Sequence, residues 1–132
     1  MSVLADKSDQ NFKAALLTRD SKLFSPSIHA AYYSCLQKML FILERDYTTS
    51  YEHIVQWCRE KGTSIHNHCI DSLSEELRKK DKGAAASFKG RMRDLKGFRE
   101  NSDYSSKEVL EHHVKDAHSL CNEIHKLINK HF

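Results

Sequence analysis

Only four glycines and one proline occur among the 132 residues of this chain, where the two together usually make up about 12%. Sandwiches and barrels turn often and need such residues at their turns, so their scarcity argues against both. It also removes the phosphate-binding loops, because Gly62, Gly83, Gly90 and Gly97 form neither GxGxxG nor a GK[ST] ending. What remains is an all-α chain of one domain, long enough to bury a real core.

Charge and hydropathy narrow the setting. The 21 Lys and Arg exceed the 18 Asp and Glu by three, too small an excess to establish nucleic-acid binding by itself. The longest strongly apolar run, Met39-Leu40-Phe41-Ile42-Leu43, falls far short of a bilayer span. The opening MSVLADKSDQ shows no basic patch followed by an apolar run. The expected setting is therefore the cytoplasm, with no membrane contact. Cys35, Cys58, Cys69 and Cys121 are dispersed without a CxxC pair and read as reduced core residues.

Helical periodicity organises the rest. A first helix is expected from about Val3 to Thr18, and Ser25-Pro26 reads as a capped start for a second. There Ile28, Ala31, Cys35, Met39 and Ile42 form an apolar stripe, widened by Tyr32, Leu36, Leu40 and Leu43. So broad a face belongs to a central helix. After Thr48-Thr49-Ser50 comes a short amphipathic piece, Tyr51 to Lys61, ended by Gly62 in a left-handed cap. Ile65, Cys69, Leu73 and Leu77 predict a helix from about Ser64 to Lys79, followed by a linker-like Arg78–Gly83. Phe88, Met92, Leu95 and Phe98 predict another from about Ala85 to Arg99. Within it, Gly90 and Gly97 mark either a close backbone approach or simply a weak helix. Ser105-Ser106-Lys107-Glu108 reads as a capping box for the last helix, whose stripe is Leu110, Val114, Ala117, Cys121, Ile124 and Ile128. About 25 residues at 1.5 Å each would make it roughly 38 Å long. The expected fold is an up-and-down bundle of about five helices, with Ser25–Asp46 and Ser106–His131 at its centre.

Nine histidines invite a metal reading. His66-x-His68-Cys69 has ligands two apart, which diverge on a helix, and no HExxH occurs. No metal or other cofactor is expected, and the histidines read as solvated or hydrogen-bonded. Acyl-transfer nucleophile motifs are also missing. More informative is the cationic segment holding Arg91, Arg93, Lys96 and Arg99, followed by what reads as a polar turn, Asn101-Ser102-Asp103-Tyr104. Guanidinium groups clamp phosphate, and Asn101, Ser102 and Tyr104 could add hydrogen bonds. The plainer alternative is a solvated helix face in which Asp103 caps or pairs locally.

Three stretches together resemble HEPN domains. Ser27-Ile28-His29-Ala30-Ala31-Tyr32-Tyr33-Ser34 resembles the small-residue and double-tyrosine signature of that family's second helix. Ser64-Ile65-His66 is similar to the start of its next helix. Leu95 through Arg99 to Asp103-Tyr104 resembles the family's L-x-x-x-R-x-x-A-D-Y, with Ser102 in place of the alanine. The likeness covers roughly Asn11 to Lys130. It implies a helical bundle that dimerises, that binds nucleotide or RNA, and that is paired with a small nucleotidyltransferase in a toxin–antitoxin-like system. Active members are metal-independent ribonucleases with an Arg-x(4–6)-His motif. Here Arg99 is followed by Asp103, Tyr104, Ser105 and Ser106 where the histidine would fall. Arg59 and His66 have the right spacing but are separated by Gly62.

RNA cleavage without metal needs a base for the 2′-hydroxyl and a stabiliser for the phosphorane. Arginine supplies only the second. Three readings follow. The leading one is a nucleotide- or RNA-phosphate-binding module using Arg93, Lys96, Arg99, Asn101, Tyr104 and His66. The second is a ribonuclease in which Asp103, Tyr104 or His66 replaces the missing histidine beside Arg99. The third is a helical interaction protein whose Arg99, Asp103 and Tyr104 only lock a turn.

Overall fold

The computed structural model describes residues 2–132, and among them six helices and no strand are found. Helix α1 (Val3–Asp20) is opened by Ser2, whose hydroxyl accepts from the Ala5 N–H. It packs on α2 (Phe24–Tyr47) more extensively than any other pair of helices pack together. The expected stripe of α2 is buried throughout, with Ala31, Tyr32, Cys35 and Met39 wholly out of solvent. This helix touches α1, α4, α5 and α6, the central position that its broad apolar face requires.

Short polar residues set most of the remaining boundaries. Ser50 caps α3 (Tyr51–Lys61), and Gly62 closes it with φ of 66°, as expected of a left-handed cap. Ser64 caps α4 (Ile65–Lys80) by accepting from the Asn67 N–H at 3.3 Å. Asp81 alone separates α4 from α5 (Lys82–Tyr104), and its carboxylate accepts from the Ala84 N–H at 3.0 Å. The expected six-residue linker is thus a single extended residue. Helix α6 (Glu111–His131) buries Val114, Ala117, Cys121, Ile124 and Ile128 against α2 and α5.

Two local expectations are corrected. Ser25 does not cap α2: the helix begins at Phe24 after Leu23, without a side-chain cap, and Pro26 sits in the first turn, where its missing N–H costs nothing. The Ser105–Glu108 box does not open α6. Residues 105–110 form an irregular connection, and His113 Nδ1 accepts from the Leu110 N–H at 3.0 Å instead. Leu110 is accordingly exposed, and α2 with 24 residues, about 36 Å at 1.5 Å each, is the longest helix. A Cβ on Gly90 or Gly97 would meet nothing within 4 Å, so neither serves a close approach. Tyr51–Lys61 stands as a helix of its own, which brings the count to six.

Polar groups tie the core together. Ser8 Oγ donates to the Ser34 carbonyl at 2.6 Å, joining α1 to α2. Ser27 Oγ donates to the Ala15 carbonyl at 2.7 Å and lies 2.7 Å from His118 Nε2, joining α1, α2 and α6. All four cysteines are free and buried. No helix among the described residues is long and apolar enough to cross a membrane.

Candidate functional site

One cluster unites α2, the first turn of α4 and the last two turns of α5. On α2, His29, Tyr32 and Tyr33 stand at i, i+3 and i+4, which places them on one helix face. From α5 come Lys96, Arg99, Glu100, Asp103 and Tyr104, and from α4 comes His66. The α5 residues can meet because the helix runs on to Tyr104, where the sequence suggested a turn after Arg99. Arg99 and Asp103 are therefore one helical turn apart and point the same way.

Arg99 is the centre of the cluster. It is 8% exposed, and its guanidinium carbon lies 5.2 Å from the Tyr32 ring centre, 5.9 Å from Tyr33 and 5.8 Å from Tyr104. Its Nη1 stands 3.6 Å from Asp103 Oδ2, an ion pair too long for a hydrogen bond. That carboxylate oxygen is instead 3.0 Å from His29 Nδ1. Arg99 Nε is buried and has no hydrogen-bond partner among the described residues. A desolvated donor on a permanently charged group is costly when left alone.

Around it the titratable groups are held in defined states. Burial raises the Tyr32 phenol well above its ordinary range, so it stays protonated. His66 is pushed below the ordinary imidazole value, first by burial and then by the positive charges of Arg99 and Lys96. The two side chains meet at 2.9 Å, Tyr32 hydroxyl to His66 Nδ1. Lys96 pairs with Glu100 and holds that carboxyl below its usual value. The result is a cation walled by aromatic rings, next to a neutral imidazole, with exposed Tyr104 at the rim. Such a group can grip an anion, and the imidazole can accept a proton.

Of the residues expected at the site, Lys96, Arg99, Asp103, Tyr104 and His66 come together. Arg93 and Asn101 do not. At 100° per residue, Arg93 stands about 240° and Asn101 about 200° around the helix from Arg99. Arg93 is exposed, while Asn101 lines a separate cavity with Ile28, Phe98, Ser105, Lys107 and His113. Arg91 donates to Ser87 Oγ, and Ser102 Oγ donates to the Ser25 carbonyl at 3.3 Å, so neither joins the cluster. His29, Tyr32 and Tyr33 were not among the expected site residues. Their 29/32/33 spacing on a helix was the available signal.

The chain matches no family model, no curated protein and no solved structure.

Proposed function

We propose that this chain is a HEPN-like module that binds the phosphate of a nucleotide or of RNA through Arg99. One observation carries the proposal: an arginine more than nine-tenths buried, its guanidinium set among tyrosine rings, with its Nε lacking a partner among the described residues. A guanidinium serving only to lock its own helix end would be hydrogen-bonded to Asp103, whereas that carboxylate is engaged by His29. A phosphate at the open edge of the cluster would bring an opposite charge and accept from the guanidinium donors that face it. Lys96 and His66 stand close enough to assist, and Tyr104 offers a ring for a base to stack on. By the motif likeness, the module acts as a dimer alongside a small nucleotidyltransferase.

The test is binding of ATP and of a labelled single-stranded RNA, by calorimetry and fluorescence anisotropy, to the protein and to Arg99→Met. The variant keeps the volume and removes the charge. Affinity is expected to fall by more than about tenfold, the loss of one charged hydrogen-bonding partner, while the thermal midpoint holds or rises. A lowered midpoint with no ligand bound by either protein would establish the structural role instead.

A second reading, metal-independent ribonuclease, is favoured by His66. Its imidazole is biased to the neutral form and lies beside the same tyrosine that Arg99 covers. A base and a phosphorane stabiliser would then be present without the family's usual spacing. Cleavage of single-stranded RNA in the presence of a chelator, abolished by His66→Gln and by Arg99→Met, would establish it.

A further inference from the structure

Away from Arg99, four potential ligand atoms converge where α2 packs on α6. Cys35 and Ser34 come from α2, and Cys121 and His125, one turn apart, come from α6. The two sulfurs are 3.7 Å apart. Ser34 Oγ is 3.4 Å from Cys121 Sγ and 3.1 Å from His125 Nε2. One ligand atom each from Cys35, Cys121 and His125 all lie within 4.8 Å of one another.

A tetrahedral zinc ion has Zn–S bonds near 2.3 Å and Zn–N or Zn–O bonds near 2.1 Å. The edges of that tetrahedron are about 3.8 Å between sulfurs, 3.6 Å from sulfur to oxygen and 3.4 Å from nitrogen to oxygen. The three corresponding spacings in the protein are 3.7, 3.4 and 3.1 Å, each within about 0.3 Å of the ideal. Two sulfurs in simple contact would give the first distance alone. Ser34 Oγ also donates to the Ala31 carbonyl at 2.7 Å and is within hydrogen-bond reach of His125 Nε2, a hydrogen bond that coordination of both groups to one ion would replace. A disulfide is the other product such a pair could form, but its sulfurs must close to about 2.05 Å, and it has no use for the imidazole.

We propose that Cys35, Cys121 and His125 form a binding site for a thiophilic metal ion, zinc being the natural occupant, with the Ser34 hydroxyl or a water in the fourth position. Two thiolates and a divalent cation make a neutral group, which suits burial, and binding releases the two thiol protons. Soft sulfur donors with one imidazole select zinc or copper(I) over magnesium or calcium. An ion has a route in, because half-buried His125 also lines a surface cavity with Asp9, Phe12, Lys13, Lys38 and Asn129. Occupancy would clamp α2 to α6 and leave the Arg99 cluster untouched.

Full-length protein, stripped with a chelator and kept reduced, is titrated with Co²⁺ and then with Zn²⁺ against a chromophoric competitor. The expected result is one equivalent bound, with thiolate-to-cobalt absorption in the near ultraviolet and the intense visible bands of a four-coordinate ion. Zinc raises the thermal midpoint, and magnesium does not. Cys121→Ser at least halves the thiolate absorption, one of the two sulfurs being lost, and His125→Gln weakens zinc binding about tenfold or more, as expected for a lost ligand. Circular dichroism establishes that each variant is folded. If Cys121→Ser does not fold, His125→Gln, altered at the edge of the core, decides alone. A cobalt spectrum without thiolate absorption, or zinc affinity unchanged in His125→Gln, overturns the site.

Discussion

At the scale of single residues, Arg99 carries a cost to the folded state. Its buried, unpartnered Nε lowers the stability of the unliganded fold, so an apolar side chain of similar length should relieve it. Arg99→Met is expected to raise unfolding free energy by about 1 kcal/mol, read by chemical denaturation. Two histidines give a pH signature. His66 and His118 both have folded-state values pushed below the ordinary imidazole range, in each case first by burial. Their unfolded forms therefore bind protons first, and the stability they contribute is complete above about pH 6.5 and lost as pH falls below it. Ser27 already donates to the Ala15 carbonyl, so it accepts from His118 Nε2–H. Denaturation midpoints measured from pH 7.5 down to 5.5 should fall, and His66→Gln with His118→Gln should flatten the curve. A flat curve in the parent protein would contradict this assignment. In sequence, Arg99 stood out as a cation before a polar segment. Its tyrosine walls did not, because nothing local to residues 91–104 reveals which face of α2 they meet.

At the scale of helices, periodicity made the middles legible and left the ends obscure. The buried stripes of α2, α4 and α6 follow from i, i+3, i+4 spacing alone. Asn101-Ser102-Asp103 carries weak helix formers and reads as a turn, yet α5 continues through it. Tertiary contacts outweigh the propensity there, with Ser102 bonded to the Ser25 carbonyl and Asp103 to His29. The same balance misplaced the start of α6, where His113 reaches back to the N-cap N–H as Glu108 was expected to do. The grouping of Cys35 with Cys121 and His125 is of this kind too: Cys121 and His125 are one turn apart, but Cys35 joins them only through packing. Glycine offers a direct test of helix energetics. Gly90 and Gly97 have room for a methyl group, so changing each to Ala should add about 0.5–1 kcal/mol. Gly62 at φ of 66° should lose about 1 kcal/mol on the same change. Thermal midpoints of the three variants check both signs.

Across the whole molecule, the helices differ in how firmly they are held. Helix α2 has four helical neighbours, whereas α3 packs chiefly on α4 and carries an exposed Trp57 stacked on His68 at 4.2 Å. Local opening should therefore cost least in α3. Hydrogen exchange read by mass spectrometry is expected to show Tyr51–Lys61 exchanging well before the stripes of α2 and α6. Slower exchange there than in α2 would refute this ranking.

Asp81 ends α4 and begins α5, leaving no slack between the helix that carries His66 and the helix that carries Arg99. An engineer wanting to splice a reporter peptide into this protein should accordingly choose the irregular stretch near Ser106, where the chain is loose enough to accommodate the detour. The same peptide grafted at Asp81 would disrupt the bond by which its carboxylate caps α5 at the Ala84 N–H.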